Sequence, residues 1–270
     1  MRYLLILVFL CLTTSLGYTN STVLIVNAWC VTGDCDFFKT FIDDLHSPEG
    51  RQLQEQLSNL TKYERSQFVV AWRTVSSNSV LRKDPAVLSI VSKYIAEVGD
   101  TPSSLRIIFD KIPSGDQRAF LDALEDVVDF SKSAGKQLKV KLNMDLLKAS
   151  QGAQGSGAYP GVDNWIIVEI PKGTKIYGGV PGQSSFYLSY ETLSEVKLSK
   201  SEVWKSLQVA PHPEFGYRSK IAEYELNSTY DISFSKVTAN PQHGNGGGYQ
   251  YFVDEFEIQL RATGKIIDLE

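Results

Sequence analysis

The hydrophobic period of this chain changes once, and that change limits what it can fold into more than any other feature. From about Asp36 to Lys148 the apolar residues recur at three- and four-residue steps, the period of a helix face. After Gly161 they come in short runs broken by turn residues, the pattern of strands. Between the two lies Ser150-Gln151-Gly152-Ala153-Gln154-Gly155-Ser156-Gly157-Ala158. Gly, Ser and Gln at this density bury too little apolar surface to order a chain, so the stretch reads as a flexible linker and a domain boundary. The expected organisation is therefore α+β: a helical domain over 18–148, a linker over 149–161 and a small sheet domain over 162–270.

Within the first part, Phe37, Phe38, Phe41, Ile42 and Leu45 share a helical face that Pro48 ends. Phe68 to Val75 continues with similar spacing. Pro85 sits in a first turn after Asp84, and Val87, Leu88, Val91, Tyr94, Ile95 and Val98 build one face before Gly99 stops it. Phe120 to Phe130 forms another helix that Gly135 terminates. Four or five helices packed as a bundle are expected, without a catalytic constellation. In the second part, strands are expected at Trp165–Ile170, Lys175–Tyr177, Ser185–Leu188, Ile221–Leu226, Ile232–Phe234 and Tyr249–Leu260, with one helix around Leu198–Leu207.

Residues 1–17 look like a secretory signal peptide. Arg2 supplies a positive charge, Leu4 to Leu12 an apolar run too short to span a bilayer, and Ser15-Leu16-Gly17 small residues for cleavage. No later segment reaches the roughly 18 apolar residues of a membrane span, so a secreted, extracellular chain without a transmembrane segment is expected. In that compartment Cys30 and Cys35 can close a short disulfide loop. Asn20, Asn59 and Asn227 head glycosylation acceptor triplets. A net charge of −4 with no basic stripe argues against a nucleic-acid partner.

The residues leave few places for chemistry. His212 and His243 stand among prolines and glycines rather than at metal-ligand spacing, so no metal is assigned. Glu255 and Glu257 fall on one face of the expected last strand and read as its solvated side. What remains is a set of polar residues around glycines: Tyr177-Gly178-Gly179, Pro181-Gly182-Gln183-Ser184, Ser189, Gly216-Tyr217-Arg218, and Gly246-Gly247-Gly248 before Gln250. Gly-rich turns can present backbone N–H groups, an arginine can clamp a pyrophosphate through paired hydrogen bonds, and tyrosines offer faces for a flat ring. Together they suit a dinucleotide in a cleft at a sheet edge.

The order Pro171-Lys172-Gly173-Thr174, Phe186-Tyr187-Leu188-Ser189, Arg218 before Tyr224-Glu225-Leu226, and Gly246-Gly247-Gly248-Tyr249-Gln250-Tyr251 resembles the tuberculosis-necrotizing-toxin (TNT) family of secreted NAD glycohydrolases. The resemblance spans roughly Trp165 to Ile267. It implies an ADP-ribosyltransferase-like split-sheet fold and cleavage of NAD, the substrate rather than a cofactor, into nicotinamide and ADP-ribose. It also implies a toxin or effector with an immunity or receptor protein as partner. On this resemblance Gln250 is the catalytic amide and Arg218 the phosphate-binding arginine, with Tyr177, Gly178, Ser189, Gly247 and Gly248 as further substrate-binding candidates. Where the family carries Arg-Phe-Gly this chain has Tyr177-Gly178-Gly179. Two alternatives stay open: an ADP-ribosyltransferase acting on a protein, and a non-catalytic secreted binding module of the same fold.

Overall fold

The computed structural model describes residues 35–48, 50–154, 162–180, 184–214, 216–239 and 243–270, the side chains of 35–39 excepted. Residues 1–17, Asn20, Cys30, the Cys35 side chain and residues 155–161 of the expected linker lie outside that description. The expected leader and disulfide therefore do too. By backbone contacts the chain divides into two compact units, Met1–Ser92 and Lys93–Glu270.

The first unit is helical: α1 (Cys35–His46), α2 (Gly50–Asn59), α3 (Lys62–Thr74), a 3-10 turn (Leu81–Lys83) and the first half of α4 (Pro85–Val98). Thr61 and Glu64 form a capping box at the start of α3: Glu64 N donates to Thr61 Oγ1 (3.3 Å), and Thr61 N donates to the Glu64 carboxylate (2.8 Å). Its core gathers Phe41, Leu45, Leu53, Leu57, Val69 and Trp72. Asp44 is buried there because it is fully partnered: Trp72 Nε1 donates to it at 3.0 Å and Arg82 Nε at 2.6 Å. Asn59, a glycosylation candidate, is exposed at the end of α2.

The second unit contains the rest of α4, α5 (Pro102–Lys111), α6 (Gln117–Ala134), β1 (Lys139–Val140), α7 (Met144–Gly152), β2 (Ile166–Ile170), β3 (Lys175–Val180), β4 (Phe186–Leu188), α8 (Tyr190–Glu195), α9 (Lys200–Ser206), β5 (Lys220–Leu226), β6 (Tyr230–Lys236), β7 (Tyr249–Phe252), α10 (Phe256–Gln259) and β8 (Leu260–Asp268). The α+β class is as expected. Helices α2 and α5, ten residues each, are additional to those the periodicity names.

The strands form one antiparallel sheet in the order β1-β2-β6-β7-β4-β3-β5-β8. It is thinnest between β4 and β3, joined there by the single pair Tyr177↔Leu188. The eight strands nonetheless remain one sheet there. Long ladders flank it: β3 pairs with β5 from Lys175 to Val180, and β2 with β6 from Ile166 to Ile170.

The two faces of the sheet are used differently. Pairing of Phe234 with Tyr251 places Phe234, Tyr249 and Tyr251 on one face, where Phe130 of α6 packs on them with ring centroids 5.1, 5.0 and 6.5 Å away. This aromatic cluster ties α6 to the sheet, which is why the compact unit begins at Lys93, well before residue 149. Alternation sends Ser235, Gln250 and Leu188 to the other face. Tyr177 shares that face but lies beneath a second core with Leu193, Val203 and Trp204.

Two local expectations are corrected. The run from Tyr249 to Leu260 is not one strand. It breaks after Phe252 into a turn and α10, so Glu255 and Glu257 are exposed around a helical turn rather than aligned on a strand face. The single helix expected near Leu198 is two, α8 and α9, separated by Lys197 and Leu198 in the left-handed region (φ 51° and 59°). Asn227 is exposed, and its amide is already used: Nδ2 donates to Ile258 O (2.6 Å) and Oδ1 accepts from Tyr230 OH (2.8 Å).

Candidate active site

Where β3 and β4 part, the face away from α6 opens into a cavity of about 600 Å³. Its floor is sheet: Gly179, Phe186, Leu188 and Gln250. Its walls come from the end of α7 with Asp163, from Trp204 to Val209, from Val237 to Ala239, and from Arg218.

Gln250, from the sequence set, stands in the cavity but is buried, 5% exposed. Nε2 donates to Asp163 Oδ2 (2.7 Å) and Ser235 Oγ (3.1 Å). A primary amide has two N–H donors, so both are committed and the carbonyl oxygen Oε1 is the atom left for a ligand. Asp163, 8% exposed, also accepts from Thr238 N (2.7 Å) and Gln154 Nε2 (2.9 Å). Gln154 Oε1 in turn accepts from Asp163 N and Trp165 Nε1, both at 2.9 Å.

Arg218 also lines the cavity, and it is exposed. Among the described residues no hydrogen bond or ion pair engages its guanidinium, while its backbone oxygen accepts from Trp204 Nε1 (2.7 Å). Gly179 makes this approach possible: a Cβ there would stand 2.7 Å from Trp204 Cη2 and 2.9 Å from Arg218 Nη1. Among the described residues the cavity thus offers an unengaged guanidinium, an amide acceptor and aromatic walls.

Of the other residues singled out in the sequence, Gly179 and Ser184 line the cavity, whereas Tyr177, Gly178, Ser189, Gly247 and Gly248 do not. Tyr177 points into the core beneath α8 and α9, and its hydroxyl donates to Glu223 Oε2 (3.2 Å). Burial, together with the negative charge of Glu223, pushes that phenol well above its ordinary range, so it stays protonated. Gly178 faces the other way, against the Tyr187 and Tyr224 rings. Ser189 is buried as the N-cap of α8, accepting from Thr192 N (3.2 Å). The glycine run is a turn whose donors are spent: Gly247 N donates to Val237 O (2.8 Å) and Gly248 N to Ser206 O (3.1 Å). It delivers Gln250 to β7 but presents no N–H groups from Gly247 or Gly248 to an anion.

Sequence reasoning missed Asp163, Ser235, Gln154 and Gln208. Asp163 sits 87 positions from Gln250 and 75 from Thr238, so no local pattern marks it. Its one signal is an acidic residue two positions before the apolar run Trp165 to Val168, whose burial draws it in and demands partners. Gln208 lines the same cavity at φ 58°, with a buried Oε1 that has no partner.

Residues 143–255 match the family model of the Rhs1 C-terminal toxin domain. The similarity to that toxin domain is confined to this stretch. All the cavity-lining residues fall inside it, whereas α1 to α6 and β1 precede it. Among solved structures, the chain is 35% identical to Rhs1-CT in complex with its cognate immunity protein RhsI1, over 48% of this chain and 98% of that one, with a TM-score of 0.45. It is 12% identical to Tse6 in complex with Tsi6, over 59% of this chain and 98% of that one, with a TM-score of 0.31. No curated protein matches the chain. Among the described residues of the toxin-like part and the helices before it, no helix is long and apolar enough to cross a membrane.

Proposed function

We propose that the toxin domain is an NAD glycohydrolase of the TNT type, exported from the cell that makes it. The reaction is NAD plus water giving nicotinamide, ADP-ribose and a proton. The observation that carries this reading is the Gln250 amide, its two N–H donors taken by Asp163 and Ser235, in a cavity that Arg218 also lines. Nicotinamide leaves as a neutral ring, so the protein has little leaving-group chemistry to supply. It must hold the ribose, anchor the pyrophosphate and stabilise charge that develops on the sugar. Gln250 Oε1 can accept from a ribose hydroxyl, which leaves that oxygen richer in electrons as the sugar becomes cationic. Arg218 matches a phosphate with paired donors. Tyr177 stands where the TNT family carries an arginine and is occupied with Glu223, so Arg218 is the cation we assign to the phosphates.

The similarity to a toxin domain supports a toxic role. An enzyme that empties a cell of NAD endangers its producer, so an immunity protein that blocks the cavity belongs to the proposal. The test is incubation of the full chain with NAD and separation of the products. Nicotinamide and free ADP-ribose in equal amounts support hydrolysis. Nicotinamide with ADP-ribose attached to a protein replaces hydrolysis with transfer, and an absence of nicotinamide replaces the enzyme with a binding module.

A further inference from the structure

A glutamine amide can turn either its N–H groups or its oxygen to a ligand. At Gln250 the surroundings decide. Asp163 is buried, and both its oxygens act as acceptors, Oδ1 for Thr238 N and Oδ2 for the Gln154 amide, so Nε2 must face it. Ser235 Oγ takes the other hydrogen. Asp163 is itself held on both oxygens, Oδ1 by Thr238 N and Oδ2 by Gln154 Nε2 as well as Gln250. Gln154 cannot turn over without losing the bonds that its oxygen accepts from Asp163 N and Trp165 Nε1. We infer that Asp163 is a positioning residue that locks the polarity of Gln250, so that the cavity meets its ligand with a hydrogen-bond acceptor and selects a hydroxyl donor. That the donor is a ribose hydroxyl of NAD rests on the function proposed above; the polarity does not.

Two measurements on the full chain test this. In side-chain amide NMR, the Gln250 NH2 pair is assigned by its loss in Gln250→Leu. It should exchange with water about ten- to a hundredfold more slowly than the exposed Gln52 pair. Exchange as fast as Gln52 overturns the proposal. Affinity for NAD is then compared with that for its analogue lacking the 2′-hydroxyl on the nicotinamide ribose, and about tenfold weaker binding of the analogue is expected. Equal affinity overturns the selection of a hydroxyl.

Asp163→Leu keeps the volume and removes the acceptor that fixes Nε2. Both the slow exchange and the discrimination between the two ligands should then be lost. A merely structural Asp163 predicts weaker binding of both ligands with the discrimination kept, and that outcome overturns the proposal. If the Asp163 variant does not fold, the wild-type exchange and the ligand comparison decide. If the wild type binds neither ligand, the NAD reading falls and the exchange measurement alone judges the polarity. NAD binding with the expected discrimination but without cleavage sinks the hydrolase and leaves the positioning role standing.

Discussion

Replacing Gln250 with leucine keeps nearly the same side-chain volume and removes the two donors. What is lost follows from the geometry: a charge-assisted hydrogen bond to Asp163 at 2.7 Å and a neutral one to Ser235 at 3.1 Å. The first is worth about 1.5–3 kcal/mol and the second about 1, because Asp163 keeps its carboxylate in a buried place with one donor fewer. A loss of roughly 2–4 kcal/mol is expected, which for a domain of this size lowers Tm by about 5–12 °C. The amide therefore contributes stability as well as chemistry. Nicotinamide release should fall by about 10²–10³ when the preorganised acceptor is gone. Scanning calorimetry and product analysis on the same preparation read the two effects. An unchanged Tm would show that the amide is not held by Asp163 as described. Unchanged activity at lowered Tm would place Gln250 in the structure and remove it from the reaction.

Arg218→Ala removes an exposed, unengaged guanidinium, so Tm should stay within about 1–2 °C while KM for NAD rises more than kcat falls. Steady-state kinetics check it, and a fall confined to kcat would refute the phosphate assignment. Gly246→Ala places a Cβ 2.6 Å from Val237 O at φ 66°, so it should cost at least about 2 kcal/mol in denaturant unfolding. Gly264→Ala, at φ 86° in open space, should cost about 1 kcal/mol. Equal losses would mean that the turn yields. Asp126 is pushed up to about 6, chiefly by burial, opposed by Lys236 and reinforced by Asp129, Glu125 and Asp122. A raised acid binds its proton more tightly when folded, so its stabilising share is present below about pH 4 and is lost as pH rises through about 6. Asp126→Asn should gain about 1–2 kcal/mol over wild type at pH 7.5, after allowance for solvent screening, and the gap should close towards pH 4.

Periodicity alone placed the helices around Phe41, Tyr94 and Phe130 and most strands of the sheet, because each buries a stripe or a face that repeats along the chain. Glycine and proline marked their ends: Gly99 and Gly135 follow α4 and α6 at φ 69° and 63°. The motif around Gly246 to Tyr251 pointed to Gln250, and Arg218 was named as its companion; both line one cavity. Tyr177, Gly178, Ser189, Gly247 and Gly248 were drawn in by the same chemistry, but a residue type does not say which way a strand turns it or what already binds it. A tyrosine on the ligand-facing side of β3 became core because α8 and α9 cover it.

The amino-acid sequence by itself determined the class of the chain, the change from helices to strands and two polar residues, Gln250 and Arg218, that line one cavity, since these depend on local period and side-chain chemistry. Only the tertiary structure decided that α6 belongs with the sheet, through the rings of Phe130, Phe234 and Tyr249. Only it brought Asp163 to Gln250 across 87 positions and turned an ambivalent amide into an acceptor. The reason is physical. A buried polar group takes its meaning from the partners that satisfy it, and those partners are chosen by the packing of distant segments rather than by neighbours in the chain.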